Sequence, residues 1–465
     1  VNSEQMRLFA ESVRSLALGA PLPEGGYRGD YVQAVAESLR RQFGDGLAGL
    51  PPAELQKAAQ RLMLDSQRSD LAAFGVEFDT WFSEQSLHDS GEVARQVEAL
   101  EAAGAADSRP FRRKVELAKG GVVVGVESEP QPEDGRTLWL RSTKFGDDQD
   151  RVLRRSDGRL TYIASDVAYH ADKLSRGTRP GPDGATGPAD KLVTVLGPDH
   201  HGYVARLHAV VAAVLGGRPG ADPGPLEGPD AELFDSPAER DACRQALEEA
   251  RQRLEVVIFQ LVRFVKDGEP APMRKRDGNV YALIDLVREI GAHVRPGAPE
   301  AEQVAAGRDV ARFFYLMRNH ETTFDFDLDL AERESEENPV FYVQYAHARI
   351  CGILRKAAEA GLEPDPDAEA PLEPSEAALL VKALDVAHDV ARTAQDYAVN
   401  RLATAAQELA RAFHPFYDSC RVIDPDEPAR SRGRLATCEA VRAALQALLD
   451  LLGVSSPESM ARAEA

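Results

Sequence analysis

Apolar residues recur at helical spacing through both ends of this chain. After Asn338-Pro339, an N-cap followed by proline in the first turn, Val343, Ala346, Ile350 and Leu354 fall on one face. Leu384, Ala387, Ala391, Ala394, Ala398 and Leu402 make a second stripe, and Val441, Leu445, Leu448 and Leu452 a third, which stops at Gly453 with Pro457 beyond. Past residue 300 the pattern predicts helices alone, and three apolar stripes imply a bundle. The first hundred residues also read as helices, broken at 21–26, 44–49 and Pro51-Pro52.

The middle of the chain changes period. Short apolar runs at 122–126, 138–140 and 151–153 predict strands. Residues 192–196 predict another, and 203–215 then repeat apolar positions at helical spacing up to Gly216-Gly217. A charged helix to about residue 254 precedes a run at 256–265 that reads as one buried strand, and Asp267-Gly268 supplies a turn. Alternation of this kind predicts a parallel α/β layer. Two stretches rich in Gly and Pro, near 177–190 and 218–240, read as surface loops.

Composition narrows the possibilities. Two or three domains are expected of 465 residues. No run of eighteen apolar residues and no charged-then-apolar leader occurs, so a soluble, cytoplasmic protein with no membrane partner is expected. The four cysteines are far apart and form no CxxC pair, which predicts reduced thiols and no metal site. Lys and Arg number 55 against 76 Asp and Glu, a net charge of −21 that argues against a general nucleic-acid coat and against DNA as a partner. Residues 375–465 are nearly balanced, with ten basic residues against thirteen acidic.

Three segments carry candidate chemistry. Gly197-Pro198-Asp199-His200-His201-Gly202-Tyr203 stands between a strand end and a helix start, where open α/β sheets bind ligands; the plainer alternative is a helix cap with chance histidines. In 159–166, a helix would place Tyr162 and Asp166 at i and i+4, a phenol and a carboxylate able to hold a guanidinium; the plainer alternative is an exposed charge. Residues 273–279, Met-Arg-Lys-Arg-Asp-Gly-Asn, put three cations on one loop, as stabilisation of transferring phosphates requires; otherwise it is an exposed basic turn.

Taken in order, FDTWFSEQSL (78–87), LWLRSTKFGDDQDRVLRRSDG (138–158), TYIASDVAYH (161–170), GPDHHGYV (197–204), NPVFYVQYAHARI (338–350) and FHPFYDSCRV (413–422) resemble the class I arginyl-tRNA synthetases over nearly the whole chain. The resemblance implies an α/β Rossmann-type catalytic core, partial here, over residues 1–300, followed by an all-α anticodon-binding bundle over 301–465. It implies activation of L-arginine by ATP and transfer to tRNA(Arg). ATP would be a substrate, accompanied by Mg, with no tightly bound cofactor, and the protein would be a monomer.

By position, Tyr162, Asp166 and Asp199 would bind arginine, and two carboxylates with a phenol suit the charge and fork of a guanidinium. Gly197, His200, His201, Met273 and Lys275 would bind ATP. Residues 273–279 resemble the family's KMSKS loop, with Lys275 and Arg276 as catalytic cations; Arg274 stands where serine is usual. Tyr345, His347, Arg349 and Tyr417 would meet tRNA, because unstacked bases call for aromatic and Arg partners. For Tyr345 and Tyr417, core packing is the competing role.

No HIGH-type motif occurs in this chain, and Val1-Asn2 corresponds to a point shortly after the half-fold that carries it in the family. Little arginine-dependent ATP–pyrophosphate exchange by the 465-residue chain is therefore expected, and a non-catalytic, tRNA-binding truncated paralogue is the alternative. Asp199-His200-His201 also spells the DHH triplet of metal-dependent phosphoesterases, although no DxD-type motif precedes it at a strand end.

Overall fold

A computed structural model describes residues 4–109, 112–119, 122–130, 137–176, 187–216, 226–271, 281–335 and 337–460. The chain opens with three helices, α1 (Glu4–Leu18), α2 (Asp30–Phe43) and α3 (Pro52–Ala73). Each has an apolar face, and Val13, Val32, Leu39 and Ala59 are closed off from solvent where those faces meet.

Helices α4 (Glu84–Asp89) and α5 (Glu92–Ala102) then lead into strands β1 (Ala106–Arg109), β2 (Arg112–Lys119), β3 (Val122–Pro130), β4 (Thr137–Leu140) and β5 (Arg151–Arg154). Strands β1, β4 and β5 form an antiparallel sheet in that order, and β2 and β3 form a two-stranded antiparallel sheet. Helix α6 (Tyr162–Ser175) follows, then β6 (Leu192–Leu196), α7 (Tyr203–Leu215), α8 (Pro229–Leu233), α9 (Pro237–Arg253) and β7 (Leu254–Ile258). The predicted strand at 192–196 and helix at 203–215 thus appear with those bounds. Strands β6 and β7 run parallel, Leu192 opposite Leu254 and Leu196 opposite Ile258, so β6–α7–α9–β7 is a parallel crossover unit. Helix α7 is nearly all apolar and is correspondingly buried from Leu207 to Ala213, apart from His208, whose Nε2 lies 3.1 Å from the Leu254 carbonyl. The second Gly/Pro-rich stretch is helical at its end, through α8 and the start of α9.

Strands β8 (Val262–Lys266) and β9 (Glu269–Pro270) come next, then helices α10 (Leu283–Val294) and α11 (Glu300–Leu316), strand β10 (Phe324–Asp327), and helices α12 (Leu328–Ala331), α13 (Pro339–Glu359), α14 (Pro374–Asp396), α15 (Asn400–Ser419) and α16 (Pro428–Leu452). Asn338 caps α13 by accepting from the Val340 N–H, and its amide donates to the carbonyls of Leu330, Ala331 and Arg333, so a fully buried polar side chain is satisfied. Helices α13 to α16 share one core with α10 and α11.

Three expectations are corrected. The run at 256–265 is two strands, β7 and β8, because the chain leaves the first sheet at Phe259, whose N–H still bonds Leu196, and turns at Gln260, whose N–H bonds the His320 carbonyl. Residues beyond 300 are not all helical: Phe-Asp-Phe-Asp at 324–327 is a strand parallel to β8, with both phenylalanines inward and both aspartates outward. Helix α14 buries Leu379, Val386 and Thr393, whereas Leu384, Ala387, Ala391 and Ala394 of the expected stripe face solvent. That stripe is also cut at Tyr397, whose φ of 56° ends the helix before Ala398.

By contacts, the chain forms two compact units, one of residues 80–259 and one of residues 2–79 with 260–465. A single cut at residue 300 does not describe this division, since the N-terminal helices belong with the C-terminal unit. Among the described residues no helix is long and apolar enough to cross a membrane.

Candidate functional site

In the unit of residues 80–259, α6 is held by its own apolar face. Ile163, Ala164, Val167 and Ala168 are buried, and the His88 imidazole lies 3.0 Å from Ser165 Oγ, tying α4 to α6. Tyr162 and Asp166 stand one turn apart, as expected of a helix. Tyr162 is 61% exposed at the helix start. Asp166 points inward, and its Oδ2 is buried with no hydrogen-bond partner. A buried carboxylate oxygen left unpaired is costly, which marks this atom out.

Burial, and next the Glu84 charge, push the Asp166 carboxyl up to about 6; Lys173 and Arg206 oppose the rise. Glu84, Lys173 and Arg206 come from α4, α6 and α7, and none of them was singled out in the sequence. Tyr203 belongs to the same neighbourhood. Its hydroxyl is shifted upward by burial first and by the Asp166 charge second, and the Arg206 guanidinium lies 4.2 Å from the centre of its ring. The signal available beforehand was only the spacing of Tyr203 and Arg206 on a helix start.

Asp199 is less enclosed, with 81% of its side chain accessible. It lies in a single 3-10 turn between β6 and α7, where Gly197 has room for it: a Cβ at 197 would sit 3.1 Å from Asp199 Oδ1. Asp199 Oδ2 is 3.6 Å from His200 Nε2, and the His200 ring meets Tyr203 edge-on at 5.5 Å. Asp199, His200 and Tyr203 therefore lead from the end of β6 toward Asp166. His201 is exposed. Among the described residues no group of three or more His, Cys, Asp or Glu side chains is arranged to hold a metal ion.

In the other unit, the four RNA candidates separate. Arg349 lies over the Tyr417 ring at 5.1 Å, and Tyr417 is 41% exposed, so this pair reaches solvent. Tyr345 is half-buried and packs against the bundle core. His347 corrects the expectation made for it: it is buried, with Nδ1 3.0 Å from the Pro457 carbonyl, and presents no ring face on which a base could stack. Met273, Lys275 and Arg276 lie outside the described residues.

The architecture is that of the class I aminoacyl-tRNA synthetases. A putative arginyl-tRNA synthetase of Campylobacter jejuni superposes with a TM-score of 0.69 at 24% identity, over 98% of this chain and 82% of that one. The Thermus thermophilus arginyl-tRNA synthetase superposes at 0.61 and 21%, over 98% and 74%. The Mycobacterium tuberculosis methionyl-tRNA synthetase follows at 0.51 and 13%, over 96% and 88%. Residues 343–460 match the DALR anticodon binding domain. An arginine–tRNA ligase of Bacillus velezensis is 36% identical over 99% of this chain and 68% of its own length, and one of Moorella thermoacetica is 37% identical over 98% and 67%. The chain belongs to the arginine–tRNA ligase family.

Proposed function

We propose that this chain carries the arginine-recognition and tRNA-binding parts of an arginine–tRNA ligase, which activates L-arginine with ATP and passes the arginyl group to tRNA(Arg). Family membership favours this over a non-catalytic paralogue. The observation that carries the arginine assignment is Asp166 Oδ2, buried and unpartnered within reach of the Glu84 charge. A guanidinium placed there supplies the missing donor and neutralises the crowding of two carboxylates, so arginine is the form of side chain the pocket favours. Tyr162, at the open end of the same helix face, and Asp199, beyond Tyr203, are assigned to the rest of the amino acid. Gly197, His200 and His201 are assigned to the nucleotide, which arrives with Mg as part of the substrate. Met273, Lys275 and Arg276 are assigned to its phosphates, where fixed positive charge stabilises the charge that develops on transfer. Arg349 and Tyr417 are assigned to an unstacked tRNA base.

The test is calorimetric titration of the 465-residue chain at pH 8 with L-arginine and with L-citrulline, its uncharged isostere. Arginine is expected to bind and citrulline not. Asp166→Asn should weaken arginine by roughly 10- to 100-fold, the worth of a hydrogen bond to a charged group. Equal binding of the two amino acids, or an Asp166→Asn chain that binds like the parent, would defeat the assignment.

A further inference from the structure

Lys173 lies two turns beyond Asp166 on α6, with Tyr169 and His170 between them, so all four side chains project to one side of the helix. His170 is buried and has defined chemistry. Its Nδ1 is 2.8 Å from the backbone carbonyl of Asp166, which can only accept, so Nδ1 carries the proton. The ring is neutral, since burial first and the Lys173 charge second pull it down to about 4. Nε2 is then a bare acceptor, and the Lys173 ammonium donates to it over 3.3 Å. The same ammonium sits 4.6 Å from the centre of the Tyr169 ring, and Tyr169 is itself stacked on Phe82 at 4.6 Å.

Lys173 and Asp166 face the same side of α6, and a lysine there with free rotamers would turn toward the carboxylate and compete with any other cation for it. Here the ammonium is tied to His170 and to the Tyr169 face, and Asp166 Oδ2 stays without a hydrogen bond. We propose that Lys173 is a positioning residue of the arginine site: tethered by His170 and Tyr169, it supplies the resident positive charge that keeps Asp166 an acceptor carboxylate, while leaving the buried Oδ2 unpaired for an arriving guanidinium.

This rests on the assignment of Asp166 to arginine. The charged and titratable groups acting on Asp166 are Glu84 from α4, Lys173 from α6, and Arg206 from α7; Tyr203 of α7 responds in turn to Asp166. Around Lys173 itself stand His170, Asp172 and Arg176. Of these, Glu84 and burial favour a proton on Asp166, and a protonated carboxyl would offer a donor where the guanidinium also donates. Lys173 and Arg206 oppose that outcome, and Lys173 is the one held off by a dedicated acceptor.

Arginine binding to the 465-residue chain should be followed from pH 5.5 to 9 for the parent, Lys173→Met and Lys173→Arg. Parent affinity should rise as Asp166 ionises and then level off. In Lys173→Met the midpoint of that rise should move up by about one pH unit, so that the variant binds arginine several-fold more weakly near pH 6.5. At pH 9, where Asp166 is ionised in both and one repelling cation is gone, it should bind at least as well as the parent. Lys173→Arg should restore the parent midpoint. Without ligand, the carboxyl carbon resonance of Asp166, identified by its loss in Asp166→Asn, should show the same upward displacement in Lys173→Met, and thermal unfolding will show that the variant is folded. A Lys173→Met profile parallel to the parent, or an unmoved Asp166 titration, overturns this proposal alone. Failure of the parent to bind arginine at any pH overturns the pocket assignment and the proposal with it.

Discussion

Two glycines let α10 and α11 touch backbone to backbone, and enlarging one of them tests the packing of the helical unit. A Cβ added at Gly307 would lie 1.9 Å from the Val287 carbonyl oxygen and 2.9 Å from the Gly291 nitrogen; ordinary contact begins at 3.4 Å. Relief requires the helices to part by about 1.5 Å, the difference between 3.4 and 1.9 Å. No side chain can swing away, because the obstructing atoms are main chain. The separation also loosens Val287, Ile290, Val310 and Phe313, all fully buried. Overpacking with adjustable neighbours costs ~1–3 kcal/mol, and a rigid neighbour places Gly307→Ala at about 3 kcal/mol even after the gain of up to ~1 kcal/mol from alanine's helix propensity. Gly352, inside α13, is the control: nothing lies within 4 Å of its added Cβ, so Gly352→Ala should stabilise by ~0.5–1 kcal/mol. Urea unfolding read by circular dichroism at 222 nm measures both. With a slope of ~2–3 kcal/mol per molar, Gly307→Ala should lower the midpoint of the helical unit by about 1 M. Both tryptophans, Trp81 and Trp139, lie in the unit of residues 80–259, so their fluorescence transition should stay in place. A Gly307→Ala midpoint within about 0.2 M of the parent would refute the argument from close approach.

Titration gives another expectation. His170, drawn down to about 4, contributes stability that is present above its ordinary 6.5 and lost as pH falls through 4; Asp166, raised to about 6, contributes stability that is present below its ordinary 3.8 and lost as pH rises through 6. Between about pH 4 and 6 the two oppose each other. Asp166→Asn should therefore make the stability of that unit, read by tryptophan fluorescence in urea, climb more steeply with pH across this window, and an unchanged slope would contradict the two shifts. On the RNA side, Tyr417→Ala should weaken tRNA(Arg) binding by about 5- to 100-fold, the worth of ~1–3 kcal/mol per stacked base. His347→Ala should instead lower the stability of the bundle and leave the affinity of the folded protein intact. A filter-binding titration that reversed this order would reject the roles given to the two rings.

Local order in the sequence was enough to place β6, α7, the Asn338 cap of α13 and the buried stripe of α16, because periodicity, caps and glycine stops act within a few residues of one another. It was also enough to bring Tyr162 and Asp166 onto one helix face and Asp199 to a strand end, and, through ordered motifs, to mark the family. Tertiary structure decided the matters that depend on what lies opposite. An alanine and leucine stripe on α14 reads as a core face, yet the bundle closes on Leu379 and Val386 instead, since periodicity specifies that a helix has two faces without specifying which one is covered. Phe324 to Asp327 alternate over only four residues between helices, too few to mark a strand by pattern; pairing with β8 makes the segment one. The same holds for the site. That Asp166 Oδ2 is unpartnered, that Glu84 and Arg206 act on this carboxyl, and that Lys173 bonds His170 arise from burial and from elements brought together by folding, where removal of water turns ordinary charges into strongly interacting ones.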